Sequence, residues 1–274
     1  MFRLFHLSFA LLILSSITCV ALPAQQWDDI DDEEYCEPSV FNRRRVYIGP
    51  EIYHLKRSRA GGTHQNGWMY GVRAGYDKVQ KCTVYWGIDA LYAKGTLHGK
   101  TGKGSKIKSR FTDENIEGRA GFTFQGNCLM RASFTPFIGI GYFSEKNNFV
   151  DPSPIPVHFN TRFGYGVVGF LSNLPWTERF ETGLNFKARY PFEPRCRISH
   201  DPENDDTTLN VKEKWQFRVE LPITYNCTCC DLFALTLSPF YEYRLYGKHL
   251  NFPSNFLRTQ YQIYGITFEF VLRI

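Results

Sequence analysis

Trp68-Met69-Tyr70-Gly71-Val72-Arg73-Ala74-Gly75-Tyr76 alternates without a slip. Trp68, Tyr70, Val72, Ala74 and Tyr76 form one face, and Met69, Gly71, Arg73 and Gly75 form the other. A period of two is the signature of a β-strand whose two sides meet different surroundings. The same alternation runs through 84–92, 180–190, 215–225 and 264–274. Working outward from these five gives ten segments: 46–56, 68–77, 83–93, 113–124, 130–143, 159–171, 178–190, 213–225, 232–246 and 260–274. Most reach ten residues, the length a tilted strand needs to cross a bilayer. No amphipathic helical pattern competes with them.

The connections carry the topology. Links after even-numbered segments are short (78–82, 125–129, 172–177 and 226–231), and links after odd-numbered ones are long (57–67, 94–112, 144–158, 191–212 and 247–259). Such alternation predicts an all-β fold, a transmembrane up-and-down antiparallel β-barrel of about ten strands with both chain ends on the short-turn rim. The polar face is rich in glycine (Gly49, Gly71, Gly75, Gly87, Gly121, Gly139, Gly141, Gly164, Gly166, Gly183 and Gly265). Glycine is wasted on a solvent-facing strand surface but makes room in a crowded lumen. The apolar face carries aromatics near both strand ends, Trp68, Tyr92, Tyr142 and Trp215 toward one rim and Trp86, Phe124, Phe180 and Tyr225 toward the other. Two aromatic belts mark two membrane interfaces.

Composition agrees. Of 274 residues, 43% are hydrophobic, 22% charged and 16% aromatic, which excludes a disordered chain. The net charge of +5 is too mild for a nucleic-acid binder. Arg3, the apolar run Leu4–Ile17 and the small-residue stretch Thr18–Ala21 read as a secretory signal peptide over residues 1–21. Residues 22–45, with acids from Asp28 to Glu34 and Arg43-Arg44-Arg45, read as a solvated tail, and residues 46–274 as the barrel.

On this pattern the chain resembles the small outer-membrane β-barrel proteins of double-membraned bacteria. The resemblance covers residues 46–274 and includes the paired openings Thr135-Pro136-Phe137 and Ser238-Pro239-Phe240. It implies contact with outer-membrane lipid, the tail in the periplasm and long loops outside. The sequence departs from the pattern by ending in Ile274 rather than Phe or Trp. Pro50, Pro136, Pro222 and Pro239 each remove a ladder donor, so bulges are expected there.

Three functions compete for such a barrel. Enzymatic chemistry finds little support. The ten-stranded omptin proteases use paired acids with an Asp-His couple, and none of His54, His64, His98, His158, His200 and His249 has an Asp two residues before it. No catalytic residue, cofactor or metal site is assigned. A pore depends on the lumen, where Glu51, Asp89, Glu117, Glu181, Glu220, Glu242 and Glu269 face Arg73, Arg119, Arg162, Lys187, Arg189, Arg218, Arg244 and Arg273. Seven acids against eight bases should pair into a plug, because an unpaired buried charge is expensive. A structural or surface-interaction barrel is therefore expected, with a narrow or gated pore as the alternative and an enzyme third. Lys100, Lys103, Lys106 and Lys108, interleaved with glycines, predict a flexible basic loop attracting anionic glycans. Cys36, Cys82, Cys128, Cys227, Cys229 and Cys230 fall on the periplasmic rim, with Cys196 in a long external loop. Disulfides persist in that compartment, so local pairing or cross-links to other cysteine-bearing envelope proteins are both open.

Overall fold

The computed structural model describes residues 43–80, 83–125, 132–154, 156–202, 205–227, 232–251 and 255–274. The signal peptide and the tail up to residue 42 lie outside them. The described residues form fourteen strand segments: β1 (Arg43–Arg59), β2 (Thr63–Val79), β3 (Val84–Lys100), β4 (Lys106–Phe122), β5 (Phe124–Gln125), β6 (Ser133–Val150), β7 (His158–Pro175), β8 (Phe180–Thr182), β9 (Asn185–Ser199), β10 (Thr207–Asn210), β11 (Gln216–Glu220), β12 (Ile223–Asn226), β13 (Phe233–Tyr246) and β14 (Thr259–Arg273). β4 continues into β5, β8 into β9 and β11 into β12, and β10 pairs only with β9. The result is a ring of ten antiparallel strands, closed by β14 pairing with β1 from Arg45↔Arg273 to Arg59↔Thr259. Closure pairs both edges of the sheet, which a β structure in hydrocarbon requires.

The strands are longer than the alternation alone suggests. β1 begins at Arg43, so Arg43–Arg45 belong to the wall rather than to the tail. Most residues of the long loops are strand extensions: β1 and β2 run as one ladder to Arg59↔Thr63, and β3 and β4 to Lys100↔Lys106. The basic segment is thus a paired hairpin turning over Thr101–Ser105, not a flexible loop. Polar, wet residues above the membrane weaken the period-two signal while leaving the ladder intact.

The expected proline bulges do not form. The β1–β14 register is the same before and after Pro50, as is the β13 register with β11 and β12 across Pro239. Each proline costs a ladder bond without inserting a residue. The register shift lies instead between β7 and β9, at Arg162/Gly164.

Outward apolar side chains are fully exposed in the middle of the wall, Ile138 at 71% and Ile140 at 74%. Trp68, Tyr92, Tyr142, Trp215 and Tyr264 flank them toward the hairpin rim, and Trp86, Phe124, Phe180, Tyr225 and Phe270 toward the short-turn rim. The buried core is inside the ring. A barrel with its apolar side chains outward, bounded by two aromatic girdles, is built for a bilayer.

Candidate functional site

The inward face decides what the lumen can do. On β2, Arg73 lies between the two girdles and donates to Asp89 on β3 (Nε–Oδ2 2.8 Å) and to Glu220 on β11 (2.8 Å), with Glu51 on β1 at 3.4 Å. Arg218 on β11 meets Glu51 (3.0 Å), Glu220 (2.6 Å) and Glu242 on β13 (3.1 Å). Arg189 on β9 joins Glu242 (3.1 Å) to Glu117 on β4 (3.2 Å). Arg119 then joins Glu117 (2.6 Å) back to Asp89 (3.5 Å). Asp89, Arg73, Glu51, Arg218, Glu242, Arg189, Glu117 and Arg119 therefore form one closed circuit of alternating sign. Lys187 adds a further contact to Glu117 (3.3 Å), and Arg244 links Glu242 (2.6 Å) to Asp113 (2.9 Å).

Apart from Glu220, whose side chain is 13% exposed, every one of these side chains is nearly or wholly buried. An ion removed from water regains its lost solvation only with good geometry and several partners. The circuit gives each charge at least two of opposite sign. Tyrosines complete the acceptors' shells: Tyr47 donates to Asp89 (2.8 Å), Tyr53 to Asp113 (2.8 Å) and Tyr165 to Glu117 (2.8 Å). Glycine permits that reach. A Cβ on Gly75 or Gly141 would occupy the space of the Tyr47 or Tyr165 ring, respectively.

Toward the hairpin rim the lumen is filled by apolar side chains, among them Leu55, Leu97, Phe111, Phe143, Phe163, Leu209, Tyr246 and Phe256. Within this layer Tyr261 and Tyr246 both donate to Glu145, and Arg57, Gln65, Ser109 and Asn147 are joined by hydrogen bonds. On the short-turn side lies a cavity of about 110 Å³ lined by Arg45, Asp77, Glu181, Glu269 and Arg273 among others. Arg45 pairs with Asp77 (2.9 Å), and Arg273 lies 3.6 Å from Glu181.

Thirteen of the fifteen charges expected in the lumen thus belong to the paired network or its short-turn margin. Glu269 lines the cavity. Arg162 is a correction: it is exposed on the outer wall and donates to Asn160 (3.0 Å). The cause is Gly164 and Gly166, whose place in the alternation reads as lumen-facing. On β7 it is Phe163, Tyr165 and Val167 that are buried, so the faces are exchanged.

Asp77, Asp113, Glu145 and the donor tyrosines were missed. Asp113 and Tyr53 share the parity of Glu117 and Glu51 within segments 113–124 and 46–56, a signal the sequence already carries.

The basic residues Lys100, Lys103, Lys106 and Lys108 crown the β3–β4 hairpin, and none has a carboxylate within 4 Å among the described residues. At the tip of the β9–β10 hairpin Arg197 grips Asp206 (2.7 Å) and holds its carboxyl below the usual range. Cys196 is not in a loop but buried on β9. Cys227 follows β12 at the short-turn rim as a free thiol. Cys36, Cys82, Cys128, Cys229 and Cys230 lie outside the described residues.

No family model matches the chain, and no curated protein does. Solved structures do. The outer membrane protease OmpT of Escherichia coli is similar at 10% identity and TM-score 0.54, over 87% of this chain and 98% of that one. The transport unit of the E. coli autotransporter AIDA-I aligns at 10% identity and TM-score 0.40, over 88% and 93%. The outer membrane protein OprG of Pseudomonas aeruginosa does so at 10% and 0.35, over 85% and 98%. At such identities the likeness is one of fold. The chain folds as a ten-stranded β-barrel of the bacterial outer-membrane type.

Proposed function

We propose that this outer-membrane barrel is a sealed structural scaffold that works through its rims, neither conducting solutes nor catalysing a reaction. The observation behind it is the filled lumen: a closed charge circuit backed by an apolar layer. Opening a passage would strand several buried ions, each a penalty of several kcal/mol. Against catalysis stands the placement of the histidines. His54, His64, His98 and His158 sit on outward strand positions, and His200 and His249 are exposed at the hairpin rim. Buried Asp113 and Glu145 are held by Arg244 and by tyrosines rather than by any imidazole.

Outside the cell, the β3–β4 hairpin offers Lys100, Lys103, Lys106 and Lys108 to anionic glycans. Unlike a mobile loop, a paired hairpin presents these charges at little ordering cost. At the periplasmic rim, Cys227 and its neighbours in sequence supply thiols for cross-links to other cysteine-bearing envelope proteins. The four-lysine change to serine is expected to weaken heparin retention at low salt, with wild-type retention falling as salt rises. Equal retention by wild type and variant would remove the hairpin from the proposal.

A further inference from the structure

Below the crown of lysines, the outer wall combines two features that a plain lipid-facing surface lacks. The first is a groove of about 580 Å³ between β13, β14 and β1, floored by Pro50 and Pro239 and walled by Ile52, Ile266 and Phe268. Two short proline rings among large neighbours create the depression. At its upper end His54 packs against Trp68 (5.3 Å between ring centres) and Tyr264 (5.1 Å), and the Lys56 ammonium lies 5.5 Å from the Tyr264 ring centre.

The second feature is a set of outward cations that starts at the outer girdle with Lys94 and continues just above it with Lys56 and Arg110. Lys94 sits 5.2 Å from the ring centre of Tyr92 and pairs in register with Tyr70, itself beside Ile52. Arg110 lies farther along the same wall, opposite Thr96. Lys56, Lys94 and Arg110 have no carboxylate within 4 Å among the described residues. Cations left unpaired at a headgroup interface attract anionic lipid, and an apolar groove in hydrocarbon must be filled by something apolar.

We propose that this wall binds one phosphorylated, multiply acylated glycolipid of the outer leaflet, with an acyl chain in the Pro50–Pro239 groove and phosphates on Lys56, Lys94 and Arg110. The site adjoins the glycan-binding hairpin through Arg110, two residues from Lys108 on the same face of β4, and reaches the membrane interface through Lys94 beside Tyr92.

Native mass spectrometry of the full barrel released from detergent tests it, with bis-phosphorylated lipid A as the probe and its dephosphorylated form as the control. Wild type should retain one phosphorylated molecule and little of the control. Changing Lys56, Lys94 and Arg110 together to serine should weaken retention about 100-fold, each cation contributing about fivefold. Pro239→Phe, which fills the groove without altering charge, should also weaken it. Heat-shifted mobility in SDS verifies folding. Should the triple variant fail to fold, the single serine variants replace it, each expected to lose about fivefold. Equal retention of both lipids, unchanged retention by the serine variants, or a dimer that excludes lipid would overturn the proposal. Heparin binding should not change in Pro239→Phe, which leaves every cation of the hairpin in place.

Discussion

Ile140→Arg should lower the unfolding free energy of the vesicle-reconstituted barrel by about 2–4 kcal/mol, the cost of a cation at the midplane of a transmembrane barrel. Ile140 is the reporter because its side chain is 74% exposed, with Gly118 and Gly166 as its cross-strand neighbours. In lipid the new guanidinium has neither water nor a carboxylate within reach. His64→Arg, on the outward face at the hairpin rim opposite Lys100, should cost little. Urea titration in vesicles, read by tryptophan fluorescence, gives both values. A change at Ile140 within about 0.5 kcal/mol, the range of an ordinary surface substitution, would place the outer face in water.

Removing Glu117 should be as damaging from the inside. The carboxylate is fully buried and serves Arg119, Lys187, Arg189 and the Tyr165 hydroxyl together. Glu117→Ala breaks the circuit at one point and leaves three cations and a phenol short of an acceptor. Deleting one partner of a buried ion pair costs about 3–5 kcal/mol. The same urea titration should show a loss in that range, with Glu117→Asp recovering part of it. A loss below about 1 kcal/mol would mean that water already reaches these charges, which a sealed lumen forbids.

The alternation beginning at Trp68 carried the fold, because in a transmembrane barrel the two faces differ so strongly that parity assigns each side chain. The same logic located the charge circuit, since Glu51, Arg73, Asp89, Glu117 and Arg218 keep one parity within their strands. It failed on β7. Glycine has no face of its own, so Gly164 and Gly166 suggested a lumen where the wall faces outward, and Arg162 followed them. It also stopped short above the membrane, where neither face is apolar enough to show a period. Glu145, beyond the 130–143 segment, was lost there, and Cys196 was misplaced on a strand that reads as loop. Proline is informative about missing donors but silent about register, which the neighbouring ladder bonds hold on either side of Pro50 and Pro239.

Single-channel recording in planar bilayers tests the sealed scaffold most directly. With the purified full chain inserted, the Asp89–Arg73–Glu51–Arg218–Glu242–Arg189–Glu117–Arg119 circuit should hold the current at the level of the bare membrane across the applied voltages. Steady open channels of porin size would contradict it, and would mean that the circuit and the apolar layer above it part in the membrane.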